Sequence, residues 1–510
     1  MKRKIIITAA LLCVTLFVPL SLFSQDLRTD FTGEDGEQLV TRGDYVLRGT
    51  VLVQYRGNAE HITIPANLGI TEIADHVFQL SSIISITVPE GVHRIGSSFR
   101  ECNGLTTVRL PNSLRVIGDG AFEGAGNLTS VNIPTGVTTI GNYAFNGCSS
   151  LTNIIIPASV TSIGNGAFYR CESLTNIIIP SGVTSISDHA FSSCSGLINI
   201  TIPASVTSIG NGAFSGCSFT NITIPSSVTA IGDGAFYGCS FISITIPSSV
   251  ISIGNNAFSN CTGLTGIAIP ASVTSIGLGA FYGCRSLTSI TVDIQNNAYS
   301  SIEGVLFNKN KTVIATYPAG KQERTYTIPT GVTSIGNYAF YGCRSPISIT
   351  IPSSVTTIGD YAFNGCTGLT NISIPASVTS IGYSAFNGCT GLTSISIPAG
   401  VTSIGNNAFY GCTGLTSISI PAGVTSIGDY TFSRCSSLAN VSIPSSVTSI
   451  GNRAFEDCGS LTNITIPSSV TSVGNYAFIG CNNLRTVVVS RRTTISNNAF
   501  SRTAQITYSD

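Results

Sequence analysis

Cysteine is the residue whose number and spacing first invite a chemical reading. The chain has 16 of them; Cys13 lies in an apolar leader, and every other one follows a phenylalanine by three residues, as in Phe145/Cys148, Phe168/Cys171 and Phe478/Cys481. A zinc site would need close pairs such as C-x-x-C, and none occurs. The four histidines, His61, His76, His93 and His189, have no partner at a repeatable spacing. Serine is so frequent that a Ser-His-Asp set carries no information. Acids are sparse in the regular stretches, so the paired carboxylates of glycoside hydrolysis are not visible. The glycines are spaced as turn residues rather than as a phosphate-binding loop. The expectation is a protein that is not an enzyme and that holds no cofactor and no metal.

The spacing is structural instead. Leu461–Cys481 reads LTNITIPSSVTSVGNYAFIGC, one copy of a unit that recurs every 23 residues. Phe340, Phe363, Phe386, Phe409, Phe432, Phe455 and Phe478 stay in register without a slip. A fixed period in the twenties marks a stacked solenoid. In Leu369–Cys389, Leu369, Ile372 and Ile374 take the apolar positions of a short strand, with Asn371 and Ser373 pointing the other way. Pro375 cannot donate to a ladder and ends that strand. Val378 and Ile381 enter the core from a second extended segment, and Gly382 is expected to take a positive φ.

The next position is Asn or Asp in most units: Asn142, Asn165, Asp188, Asn211, Asp233, Asn337, Asp360, Asn406, Asp429. That places an N-cap before a helical or 3-10 turn carrying Ala-Phe-x-x-Cys, with Phe and Cys on one inward face. Gly147, Gly216, Gly342, Gly365 and Gly411 close the turn. The free exchange of Asn for Asp argues against calcium. Equivalent side chains on stacked rungs stand at roughly 4.8 Å, beyond the ~3.5–4.5 Å between Cβ atoms of a disulfide. The cysteines therefore read as free thiols buried like small hydrophobes.

A unit of this form, I-P-x-S-V-T-S-I-G-x-x-A-F-x-x-C after an opening L-x-x-L-x-L, resembles the BspA-type leucine-rich repeat, over roughly Ile62 to Phe500. The expected fold is a leucine-rich-repeat β-solenoid: a parallel sheet, a short second strand and one helical or 3-10 turn per unit, in ~18 rungs roughly 85 Å long. The stretch GVLFNKNKTVIATYPAG, Gly304–Gly320, is similar to an irregular rung of that family. The resemblance implies adhesion, by a surface or secreted protein of host-associated bacteria or protozoan parasites. Its motif marks scaffold positions, so no site residue carries over.

The expected organisation is a signal peptide over 1–24, an N-terminal cap with a β-hairpin over 25–61, a first repeat block over 62–290, an irregular repeat or hairpin insertion over 291–328, a second block over 329–483, and a C-terminal repeat and cap over 484–510. The basic MKRK, the apolar Ile5–Phe17 and the small residues near Ser24 make the leader a signal for export. No later stretch reaches the ~20 apolar residues a bilayer span needs, so no membrane insertion is expected once the leader is removed. In the insertion, Val305-Leu306-Phe307 and Val313–Tyr317 read as a hairpin protruding from one enlarged rung.

Formal net charge is zero and only 9% of residues are charged, which excludes the clustered positive field of a nucleic-acid binder. Binding then falls to surfaces. The residue before Ala and the residue after Phe share an outward face, and tyrosine recurs there: Tyr338, Tyr341, Tyr361, Tyr410, Tyr430 and Tyr476, with Tyr383 one residue earlier. Such a ribbon offers rigid contact area plus hydroxyls to an extracellular protein or glycan. The reading is a secreted or cell-surface adhesin for host matrix, host-cell or microbial macromolecules. The alternatives are a structural surface or biofilm protein that self-associates, and a carbohydrate-binding module.

Overall fold

A computed structural model describes residues 38–502 and 504–509; the expected signal segment lies outside the described residues. The chain winds as a parallel-sheet solenoid of about 20 turns, two more than the period alone predicts, because the atypical stretches stack as rungs too. Each regular rung has three sides. The first is a three-residue strand such as Asn371–Ser373, whose middle residue is buried between two exposed ones. These strands pair in register, Ser348↔Asn371, Ile349↔Ile372 and Thr350↔Ser373, so like stacks on like. The second side is a two-residue strand such as Ser380–Ile381, paired Ile381↔Ile404.

The third side departs from expectation. Among the described residues the only helical segment is the 3-10 turn Ala66–Leu68, far from the repeated Ala-Phe motif. The motif forms a tight turn whose alternate amides leave the rung: Ser384 N–H donates to Asn406 O at 3.0 Å, Phe386 N–H to Ala408 O at 2.7 Å and Gly388 N–H to Tyr410 O at 2.8 Å. A helix would direct those donors up its own axis. Here the neighbouring rung takes them, so the turn cannot propagate.

Two more expectations are corrected by the same inter-rung contact. Gly382 does not have a positive φ; a Cβ there would stand 2.6 Å from the Asp360 nitrogen and the Gly359 carbonyl carbon of the preceding rung. Glycine is needed for close approach of backbone to backbone, and the left-handed residue lies two positions on, at Ser384 (φ 50). The Asn/Asp column is not an intra-turn N-cap. Each side-chain oxygen accepts the amide of its counterpart one rung on: Asn142 N–H donates to Asp119 Oδ1 at 2.7 Å, Asn165 N–H to Asn142 Oδ1 at 2.8 Å and Asn211 N–H to Asp188 Oδ1 at 2.6 Å. One oxygen in one place is all the ladder requires, which is why Asn and Asp interchange. Gly147, Gly216, Gly342, Gly365 and Gly411 do close the turn with φ of 66–72.

Phenylalanines line the axis of the solenoid. Phe363 and Phe386 lie 5.1 Å apart at 13°, and Phe386 and Phe409 5.4 Å apart at 1°. Beside them run the cysteines, fifteen free and buried thiols. Their Sγ–H groups donate to a phenylalanine carbonyl of the preceding rung, Cys171 to Phe145 O at 3.2 Å and Cys389 to Phe363 O at 3.1 Å, except Cys343, which donates to Tyr317 O at 3.8 Å. Burial pushes the Cys194 and Cys435 thiols up to about 12. A thiol held protonated above its unfolded value of about 8.5 contributes stability at neutral pH that is lost as pH rises through and beyond that value. Ellman's reagent should accordingly find none of these fifteen thiols reactive in the native chain at pH 8 and all of them reactive in denaturant. Rapid native labelling of even a few would refute the buried-thiol reading.

Near the N-terminal end the strands Leu39–Arg42, Tyr45–Arg48 and Val51–Tyr55 form an antiparallel meander, and the last pairs in parallel with Glu72–Ile73. Its two hairpin turns fall at Gly43-Asp44 and Gly49-Thr50. The insertion repeats this plan with Tyr299–Ile302, Val305–Asn308 and Val313–Thr316, the last parallel to Ser334–Ile335. It does not protrude. Val305, Leu306 and Phe307 are all buried, Leu306 in the core of the first block, Val305 and Phe307 in that of the second. One strand therefore serves two hydrophobic cores from its two faces.

Candidate functional site

The turn column presents the tyrosines. Tyr338, Tyr361, Tyr430 and Tyr476 stand two residues before the core phenylalanine of their rungs, and all four are left-handed, with φ of 61, 55, 56 and 58. In some other rungs the same position is glycine, as at Gly166 (φ 58), Gly212 (φ 56) and Gly234 (φ 58), and in others a smaller or polar side chain, as at Ser384 (φ 50), Asn256 (φ 52) and Asn407 (φ 58). A side chain in that region costs roughly 1–2 kcal/mol that glycine avoids.

The expected ribbon divides into two groups. In the first, Tyr338 and Tyr361 stack at 4.9 Å and 7°, Tyr383 meets Tyr361 edge-on at 5.2 Å, and Tyr341 lies 5.9 Å from Tyr338. Burial, then the neighbouring Tyr383, raises the Tyr361 hydroxyl to about 12. No ring contact among the described residues joins Tyr383 to Tyr410, because Ser384 and Asn407 take the next two places in the column.

The second group pairs tyrosine with arginine, which the sequence reading missed. The Arg453 guanidinium lies 5.8 Å from the Tyr430 ring and 5.0 Å from Tyr476, and Arg434 lies 5.5 Å from Tyr410. Arg453 also donates to Glu456 Oε1 at 2.9 Å, which holds it across the two rings. The available signal was Arg453 itself, standing in the tyrosine column one rung after Tyr430 and one before Tyr476. A third surface was also missed. Ile155 and Ile178 are exposed at 69% and 70% on the strand face, on strands paired through Asn153↔Asn176.

The repeat geometry has relatives. The profile of the BspA-type leucine-rich-repeat region, which spans six copies, matches residues 71–198, 184–314, 320–418 and 402–510. The chain belongs to that family. A leucine-rich-repeat protein from Eubacterium ventriosum is 33% identical, with a TM-score of 0.58 over 65% of this chain and 86% of its own. A leucine-rich cell surface protein from Faecalibacterium prausnitzii is 32% identical over 80% of this chain and 95% of its own, TM-score 0.45. One from Bacteroides ovatus is 32% identical over 75% and 92%, TM-score 0.44. No curated protein matches the chain. BspA-type repeats form interaction scaffolds typical of surface or secreted proteins, and leucine-rich-repeat proteins generally bind other macromolecules. No helix among the described residues is long and apolar enough to cross a membrane.

Proposed function

We propose that this BspA-type chain is an exported, non-enzymatic adhesin that holds an extracellular protein or glycan against its turn face. The observation that carries the reading is the set of large tyrosines kept in left-handed backbone where several sister rungs use glycine. Backbone strain retained beside an alternative that relieves it points to a use for the side chain. Tyrosine and arginine are the residues that dominate interfaces, and Arg453 fixed between Tyr430 and Tyr476 loses little further freedom on binding. The basic and apolar leader supports export.

The test is capture of host matrix proteins, cell-surface proteins and glycans by the full chain and by a Tyr410→Ala/Tyr430→Ala/Tyr476→Ala variant. Binding should weaken at least tenfold in the variant, while thermal stability changes little, because alanine keeps the Cβ that makes the left-handed backbone at positions 430 and 476 costly. Equal binding would remove this face from consideration. A second reading, self-assembly, has its own observation: among the described residues the strand Gln505–Ser509 pairs on one side only and is largely exposed, the kind of edge on which another chain can pair. Light scattering that grows with concentration would favour it.

A further inference from the structure

Where the two blocks meet, one rung lacks its Ala-Phe turn side. Between Phe281 and Phe340 the chain runs 59 residues, and the insertion supplies strands but no Gly-Asn-x-Ala-Phe turn. Tyr317 stands in for the absent phenylalanine on one side only. It stacks on Phe340 at 5.0 Å and its amide donates to Ala339 O at 2.6 Å. Toward Phe281 it makes no ring contact.

The consequence is a set of unpaired backbone groups. In the preceding rung Asn256, Phe258 and Asn260 donate to Leu278 O, Ala280 O and Tyr282 O. The matching amides of Gly279, Phe281 and Gly283 have no acceptor among the described residues, and across the gap the carbonyls of Asn337 and Tyr341 accept no hydrogen bond. Between them lies a cavity of about 270 Å³ that Gly279 and Phe281 help to line. Tyr282 and Tyr341 bridge it, ring centroids 4.0 Å apart and edge-on, hydroxyls 3.0 Å apart. Tyr338 and Tyr299 complete the aromatic wall.

We propose that this cavity is a binding site for a single neutral sugar ring, which deepens the glycan part of the adhesin reading. No charged side chain lines it, so an ionic ligand would be buried without a counter-charge. The volume falls just below the roughly 300–1,000 Å³ of pockets for drug-sized ligands, enough for one ring. Flat aromatic walls suit the C–H face of a pyranose. The Gly279 and Phe281 amides and the Tyr338 and Tyr341 hydroxyls can donate to ring hydroxyls, and the Asn337 and Tyr341 carbonyls can accept from them. A peptide side chain would leave most of these groups unmatched. The site was hidden in the sequence because Tyr282 and Tyr341 are 59 residues apart and meet only where a unit fails to repeat.

Saturation-transfer NMR and calorimetry on the full chain, with free neutral hexoses and N-acetylhexosamines as probes, test the site. At least one sugar should bind in the millimolar range. Ala315→Trp, which fills the cavity from the strand Val313–Thr316, should abolish binding; Tyr341→Phe, which keeps the ring, should weaken it about fivefold. The Tyr410/Tyr430/Tyr476 triple variant should bind the free sugar normally, which separates failure of the pocket from failure of the open turn face. Silence from every sugar, or unchanged affinity in Tyr341→Phe, overturns the assignment. Should Ala315→Trp misfold, Tyr341→Phe alone decides.

Discussion

Phe386→Ala should cost about 3–5 kcal/mol, and the loss should be felt in three rungs at once. Phe386 is fully buried and lies between Phe363 and Phe409 at stacking distance on both sides. Truncation removes both ring contacts and leaves a cavity in a core one phenylalanine wide, where no second layer can collapse inward. Because each rung touches only its neighbours, stability is a sum of rung and interface terms rather than one global quantity. Hydrogen exchange should therefore accelerate in rungs 363–409 while amides near Phe145 keep their protection. Uniform acceleration along the chain would show that the solenoid unfolds as a single unit and refute this picture.

Gly382→Ala should be the more severe of two similar changes, and Gly382→Ser the milder. The new methyl would press on the Asp360 nitrogen and Gly359 carbonyl carbon, and overpacking of that kind costs about 1–3 kcal/mol. It also threatens the bond from Gly382 N–H to Ile358 O at 2.9 Å. One rung already shows how serine copes. Ser187 holds the equivalent place and has lost the amide bond, but its hydroxyl donates to Ile163 O at 2.5 Å. Alanine has no such replacement. Urea denaturation of the two variants side by side measures the difference, and an alanine variant as stable as the serine one would contradict the close-approach account.

The sequence reading succeeded wherever a residue acts inside its own unit. Ile372 buried between Asn371 and Ser373, Pro375 ending the strand, and Phe386 and Cys389 turned inward follow from spacing alone. It failed where the decisive partner is one rung away. Gly382, Asp360 and the Ala-Phe turn were each assigned a familiar local role, a positive φ, a cap and a helix. Each in fact serves the neighbouring coil, and a single copy of the unit holds no sign of how near that coil comes. Leu278 shows the limit from the other side. It breaks the Asn/Asp column without harm to itself, since its amide still donates to Asn255 Oδ1 at 2.8 Å, and only the next rung lacks an acceptor. The turn column was half legible: the tyrosines follow from spacing, but the arginines laid over them do not.

The unpaired amides of Gly279, Phe281 and Gly283 have a mechanical corollary. Everywhere else in the regular blocks the turn column adds its own bonds between adjacent coils, so pulling the two ends apart loads all sides of the rod together. At this seam the turn side carries little beyond the Tyr282–Tyr341 hydroxyl bridge. A molecule stretched between two anchored surfaces would yield there first, opening like a book along the strand side that remains.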